Sequence, residues 1–111
     1  MQTADGLAFM PEIIRRILSV SSPKKIILFG SYARGDFHPD SDLDILVIME
    51  GVTSPRAESI RLHRALRGLM IPIDIIVATP DQLEKYRHTI GLIYREALNE
   101  GKVLYEQPTA A

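Results

Sequence analysis

Residues 30–47 run Gly30-Ser31-Tyr32-Ala33-Arg34-Gly35-Asp36-Phe37-His38-Pro39-Asp40-Ser41-Asp42-Leu43-Asp44-Ile45-Leu46-Val47. The short apolar run before them, Lys25-Ile26-Ile27-Leu28-Phe29, is β-branched and reads as a buried strand that stops at Gly30. Ser31 to Arg34 suit one helical turn, and residues 35–40 are rich in turn formers. Residues 43–49 then make the strongest strand pattern in the chain, closed by Glu50-Gly51. Asp42 and Asp44 stand at its head with the spacing of two that places side chains on one face of a strand.

On the N-terminal side, residues 7–20 carry Phe9, Ile13, Ile14, Ile17 and Leu18 at a helical period, with Pro11 in the first turn and Ser21-Ser22-Pro23 as the break. On the C-terminal side, Ser54-Pro55 supplies an N-cap and a first helical position. Leu62, Ala65, Leu66 and Leu69 give that helix an inward stripe. Pro72 opens a third strand that runs through Val77, interrupted by Asp74. Thr79-Pro80-Asp81 caps a further helix, and residues 90–99 continue helically to Gly101, read as a C-terminal cap. Val103-Leu104-Tyr105 suits a short edge strand. A strand, a helix and a strand in succession predict a right-handed parallel crossover between the second and third strands. Alternation then puts Asp42, Asp44 and Leu46 on one side, and Asp74, Ile76 and Ala78 likewise, so three carboxylates can converge at one end of the sheet.

Composition narrows the function classes. The chain has 111 residues, the size of one core, and 46% of them are hydrophobic, enough to build it. Lys+Arg 13 against Asp+Glu 14 leaves a net charge of -1, so no basic field grips nucleic acid and direct nucleic-acid binding is not expected. The absence of cysteine removes disulfides, thiolate zinc sites and cysteine nucleophiles. Neither a leader-like N-terminus nor an apolar run of spanning length is present, so a cytoplasmic protein without a membrane role is the expectation.

The tight glycine turn and the acidic residues suggest phosphate and metal chemistry. Gly30 would let a phosphate approach the backbone, and Ser31 would offer its hydroxyl and N–H, or serve as a plain N-cap. Asp44, between Leu43 and Ile45, and Asp74, among isoleucines, are costly unless paired or holding a cation. Asp42 also suits the solvated entrance of a strand. Arg34 would neutralise polyphosphate charge or pair with Asp36 or Asp40. A P-loop fails because Asp36-Phe37 replace its Lys and Ser/Thr. An EF-hand fails because Ile45 and Gly51 replace its glycine and glutamate. His38 and His63 lack zinc spacing. Arg56, Arg61, Arg64 and Arg67 on the crossover helix form a solvated face or a contact face, with no aromatics interleaved. A phosphate cradle with three carboxylates is what metal-dependent phosphoryl or nucleotidyl transfer requires.

These residues resemble the minimal nucleotidyltransferases of the DNA polymerase β-like superfamily. The signature Gly-Ser, ten residues, Asp-x-Asp stands complete as Gly30-Ser31 and Asp42-Leu43-Asp44, with Asp74 in the place of the third carboxylate and Gly101-Lys102-Val103-Leu104-Tyr105-Glu106 like the family's usual end. The resemblance implies an α/β (α+β) fold: a small mixed sheet, strand order 1-2-3, flanked by helices. It implies one nucleotidyltransferase domain over residues 1–106, with a frayed tail at 107–111. It also implies two Mg2+ ions on Asp42, Asp44 and Asp74, ATP as substrate, and Gly30, Ser31 and Arg34 on its phosphates. Members of this class resemble the antitoxin half of a module with a helical HEPN toxin. The acceptor is therefore expected on a partner or within a homo- or hetero-oligomer, with AMP passing to a protein hydroxyl. The stripe Ile90, Leu92, Ile93, Tyr94 and Leu98 would supply docking or core packing. A docking module with an idle site, and transfer to a small molecule, are the competing readings.

Overall fold

The computed structural model describes residues 6–38, 40–86 and 93–108. A 3-10 turn over Gly6–Phe9 leads into helix α1, Met10–Val20, which places Pro11 in its first turn, where the missing N–H has no intrahelical partner to lose. Strand β1, Lys25–Phe29, is followed by the single turn α2, Ser31–Arg34, and by strand β2, Leu43–Ile48. Helix α3, Pro55–Ala65, crosses to strand β3, Ile73–Ala78, and helix α4, Pro80–Tyr86, follows. Helix α5, Ile93–Glu100, and strand β4, Lys102–Glu106, complete the elements.

The sheet order is β3-β2-β1-β4. β2 and β3 run parallel, as the crossover requires, while β1 pairs antiparallel with both β2 and β4. The three strands expected side by side are so arranged, and β4 extends the sheet beyond β1. Alternation divides the core into two layers. Ile26, Leu28, Leu43, Ile45, Val47, Ile75 and Val77 face α1 and α3, meeting Ile13, Ile17, Leu62 and Leu66. Ile27, Phe29, Leu46, Ile48 and Ala78 face the opposite side, where Leu83 of α4 and Ala97 of α5 cover them.

Polar contacts fix the helices to one another. Arg61 Nη1 donates to Val20 O at the end of α1, and Arg16 Nη1 donates to Arg67 O beyond α3. Arg61 also pairs with Glu58, so one member of the arginine-rich face serves helix docking, although all four of its arginines are exposed. Glu12 accepts from Arg15 and Arg16, and those hydrogen bonds hold its carboxyl down at about 2. Thr79 and Gln82 form a reciprocal capping box at α4: Gln82 N–H donates to Thr79 Oγ1, and Thr79 N–H to Gln82 Oε1. Ser54 caps α3, its Oγ accepting from Ala57 N–H at 3.2 Å. Ser54→Ala is expected to lower the stability by about 1 kcal/mol, read as a lower urea midpoint at unchanged slope.

Gly101 ends α5 as expected, its N–H donating to Ala97 O at 3.0 Å, but for a different physical reason. Its φ is not positive; a Cβ there would collide with Ala97 O and with Ile27 Cγ2. The missing side chain lets the end of α5 lie flush on β1. Gln107 N–H donates to Lys24 O, which continues the β1–β4 pairing by one bond. Residues 109–111 of the predicted tail, and Ile90 and Leu92 of the predicted stripe, lie outside the described residues. Leu98 packs against the α5-side core. No helix among the described residues is long and apolar enough to cross a membrane.

Candidate active site

β1 and β2 are joined at the end of the sheet where β3 begins, and the predicted site residues are brought together there. Gly30 leaves β1 with φ 75° and ψ −156°, a combination open essentially to glycine alone. Its carbonyl accepts from the N–H groups of Ala33 and Arg34, which winds α2 directly onto the strand end. Tyr32 is buried and its ring stacks on Phe37 at 4.2 Å, so it serves packing and pins the following loop. Ser41 N–H donates to His38 O, and His38 N–H to Ser41 Oγ, which closes the turn ahead of Asp42. His38 is thus an exposed turn residue, and His63 is exposed on α3.

The carboxylates follow from strand register. Asp44 pairs with Asp74 across β2 and β3, strands about 4.8 Å apart. Both project to the side covered by α5, as the positions of Leu46 and Ile76 two residues on show. Asp42 precedes Asp44 by two on the same strand path. Asp42 and Asp74 are exposed and Asp44 is half-buried. None of the three accepts a hydrogen bond from, or forms an ion pair with, another described residue. Burial first, then the charges of Asp74, Asp42 and Glu96, push the Asp44 carboxyl up to about 6.

Among the described residues no three acidic, histidine or cysteine side chains already stand as a set able to hold a metal ion. The chemistry of the donors nevertheless fits a hard divalent cation. All are carboxylate oxygens, two share a register, and their mutual repulsion is what such an ion relieves. Asp42 and Asp74, being exposed, are free to turn toward it. Gly30 also sits against this cluster, since a Cβ on it would collide with Asp44 Oδ2.

Arg34 is ion-paired on two sides. Its Nε donates to Asp36 Oδ2 at 3.2 Å, the neighbour that the sequence offered. Its Nη1 donates to Glu96 Oε2 at 3.1 Å, with Glu100 at 3.9 Å. Asp36 chiefly, then Glu96 and Glu100, raise the guanidinium pKa. Glu96 is a partner of Arg34 that the sequence did not reveal: it lies 62 positions away, on a helix whose facing was not legible.

Comparison with known proteins settles the family. Residues 10–104 match the nucleotidyltransferase domain family. The chain belongs to that family. This nucleotidyltransferase is 34% identical over 84 residues to a Methanocaldococcus jannaschii protein named "putative protein adenylyltransferase", covering 74% of the chain and 78% of the relative. A second protein of that organism and name is 54% identical over 54 residues, 49% of the chain and 54% of the relative. Among solved structures, a nucleotidyltransferase of Sulfolobus solfataricus, itself named as putative, aligns with TM-score 0.66 at 20% identity, covering 96% of this chain and 93% of that one. A toxin–antitoxin complex with AMP-PNP aligns at TM-score 0.61 and 24% identity, covering 88% and 73%. A mutant MntA–HpeT toxin–antitoxin complex, with two aspartates two positions apart changed to glutamate, aligns at 0.65 and 22%, again covering 88% and 73%. At these identities the structural likeness concerns the fold.

Proposed function

We propose that this nucleotidyltransferase transfers AMP from ATP to a hydroxyl group of a partner protein, as the antitoxin of a module with a helical HEPN-type toxin. The observation that carries the reading is the mutually repelling trio Asp42, Asp44 and Asp74, without partners among the described residues and set against the Gly30 turn. The names of the two archaeal relatives support AMP and a protein acceptor, and the toxin–antitoxin complexes among the fold neighbours support the partner.

Asp42, Asp44 and Asp74 would hold two magnesium ions, which when bound offset triphosphate charge and make the acceptor hydroxyl more acidic. Gly30 allows the β- and γ-phosphates close to the backbone, Ser31 donates to them, and Arg34 faces their charge. The acceptor oxygen attacks the α-phosphorus in line. The bond from that phosphorus to the bridging oxygen breaks, pyrophosphate leaves, and Asp74 takes the hydroxyl proton.

Label transfer tests this. With magnesium and α-labelled ATP, extract of the source cell is expected to show a labelled protein band. That band should be absent with γ-labelled ATP and with the Asp42→Asn/Asp44→Asn variant. No label from any nucleoside triphosphate, with the fold intact, would leave docking alone as the mode of neutralisation. Label only in small molecules would move the acceptor out of the protein class.

A further inference from the structure

Arg34 is the cation of the phosphate loop, yet its side chain is long, exposed and attached to a helix of a single turn. An arginine so placed would lose much rotamer freedom on gripping a phosphate, and that loss weakens binding. Here its orientation is set beforehand. Nε is taken by Asp36 of the same loop and Nη1 by Glu96 of α5, while Nη2 has no partner among the described residues. Nε and Nη1 lie on different edges of the guanidinium, so each edge already holds one carboxylate and Nη2, common to both, is the donor left for an anion.

The anchor is seated through the packing of α5. Ala97, next to Glu96, is 1% exposed in the core, and Gly101 seats the end of the helix directly on Ile27 of β1. β1 is also the strand that delivers Gly30. Glu96 therefore refers Arg34 to the same strand that positions the phosphate turn. The charge of Glu96 is felt at Asp44 as well, which places this carboxylate within the field of the acidic trio. At about two-fifths exposure on both sides, the Arg34–Glu96 pair contributes little to folding, so its consequence lies in where it holds the guanidinium.

We infer that Glu96 is a positioning residue of the nucleotide site, holding the Arg34 guanidinium from α5 so that its Nη2 group meets the triphosphate. The inference rests on the proposed function, because it takes Arg34 as a phosphate contact. Glu96 itself touches no substrate; it acts through Arg34.

A double-mutant cycle on nucleotide affinity tests it, using α,β-methylene-ATP with magnesium and calorimetry on the full chain, and thermal midpoints to check folding. Arg34→Ala is expected to weaken binding about tenfold or more, the loss of a charge-assisted contact. Glu96→Gln, which keeps the shape and removes the charge, is expected to weaken it about fivefold, the upper reach of an exposed ion pair. In the Arg34→Ala background, Glu96→Gln should change nothing. An equal loss in both backgrounds would overturn the inference, as would tighter binding by Glu96→Gln, which would make Glu96 a competitor for the arginine. Wild-type affinity in either single variant would overturn it as well. Failure of the wild type to bind the analogue at all would instead bring down the proposed function, and this inference with it.

Discussion

Asp44→Asn is expected to reduce nucleotidyl transfer about a thousandfold or more while making the protein more stable in chelator. The two effects have one cause. Asp44 stands half-buried between Asp42 and Asp74 with no cationic partner in contact among the described residues, and its carboxyl is pushed up to about 6 from an ordinary 3.8. Holding it ionised at neutral pH therefore works against the fold. The full difference corresponds to about 3 kcal/mol, and solvent screening of a side chain this exposed reduces it to about 1 kcal/mol. Asparagine removes that charge at nearly constant volume, so the melting midpoint in EDTA should rise by about 4 °C.

The sign with pH follows from linkage. A raised carboxyl pKa means that the folded state binds the proton more tightly, so this contribution is fully present below about 3.8 and is lost as pH rises through about 6. Glu12 works in the opposite sense and lower down: its stabilisation is present above 4.5 and lost as pH falls toward about 2. Between pH 4.5 and 6 the wild type in chelator should thus lose stability with rising pH, and Asp44→Asn should remove that slope. Urea midpoints across the window read it directly. A variant that is inactive and also less stable than wild type would show that Asp44 is held by partners rather than repelled by neighbours.

Gly30→Ala is the second large effect, and it should disturb fold and site together. A side chain at φ 75° and ψ −156° costs about 1–3 kcal/mol by itself. The added Cβ would also collide with Asp44 Oδ2, so Asp44 must move or β1 must separate from β2. Loss of about 2–3 kcal/mol in urea unfolding is expected, with nucleotide binding lost alongside. Gly35→Ala is the control, because nothing stands within 4 Å of its Cβ position and only the left-handed backbone, φ 88°, is penalised. It should cost about 1–2 kcal/mol and leave Asp44 in place. Equal effects of the two substitutions on nucleotide affinity would refute the close approach of Gly30 to the carboxylates.

Much of this architecture could be read from local pattern. β-branched runs broken by Gly30 and by Glu50-Gly51 marked β1 and β2, and the stripe through Leu62 and Leu66 marked the crossover helix, both buried in the structure. Because strand side chains alternate with a period of two, the placement of Asp44 and Asp74 on one face followed once β2 and β3 were taken as parallel neighbours. The register that sets them opposite each other is observed and was not contained in the pattern.

What escaped the sequence depends on contacts between distant segments. The facing of α5 is set by Ala97 and by the bare backbone of Gly101 against Ile27, small residues with almost no signal in a hydrophobic pattern. Pairing of β4 with β1 includes a register break between Ile26 and Ile27 that no alternation predicts. The sequence by itself determined the strand–turn–strand unit, the crossover and the spacing of the carboxylates, because strand and helix periods and the freedom of glycine are local properties. Only the tertiary structure decided that Glu96 meets Arg34 and that Gly30 touches Asp44. Those meetings arise from how separate elements pack, and close packing joins residues that the chain keeps far apart.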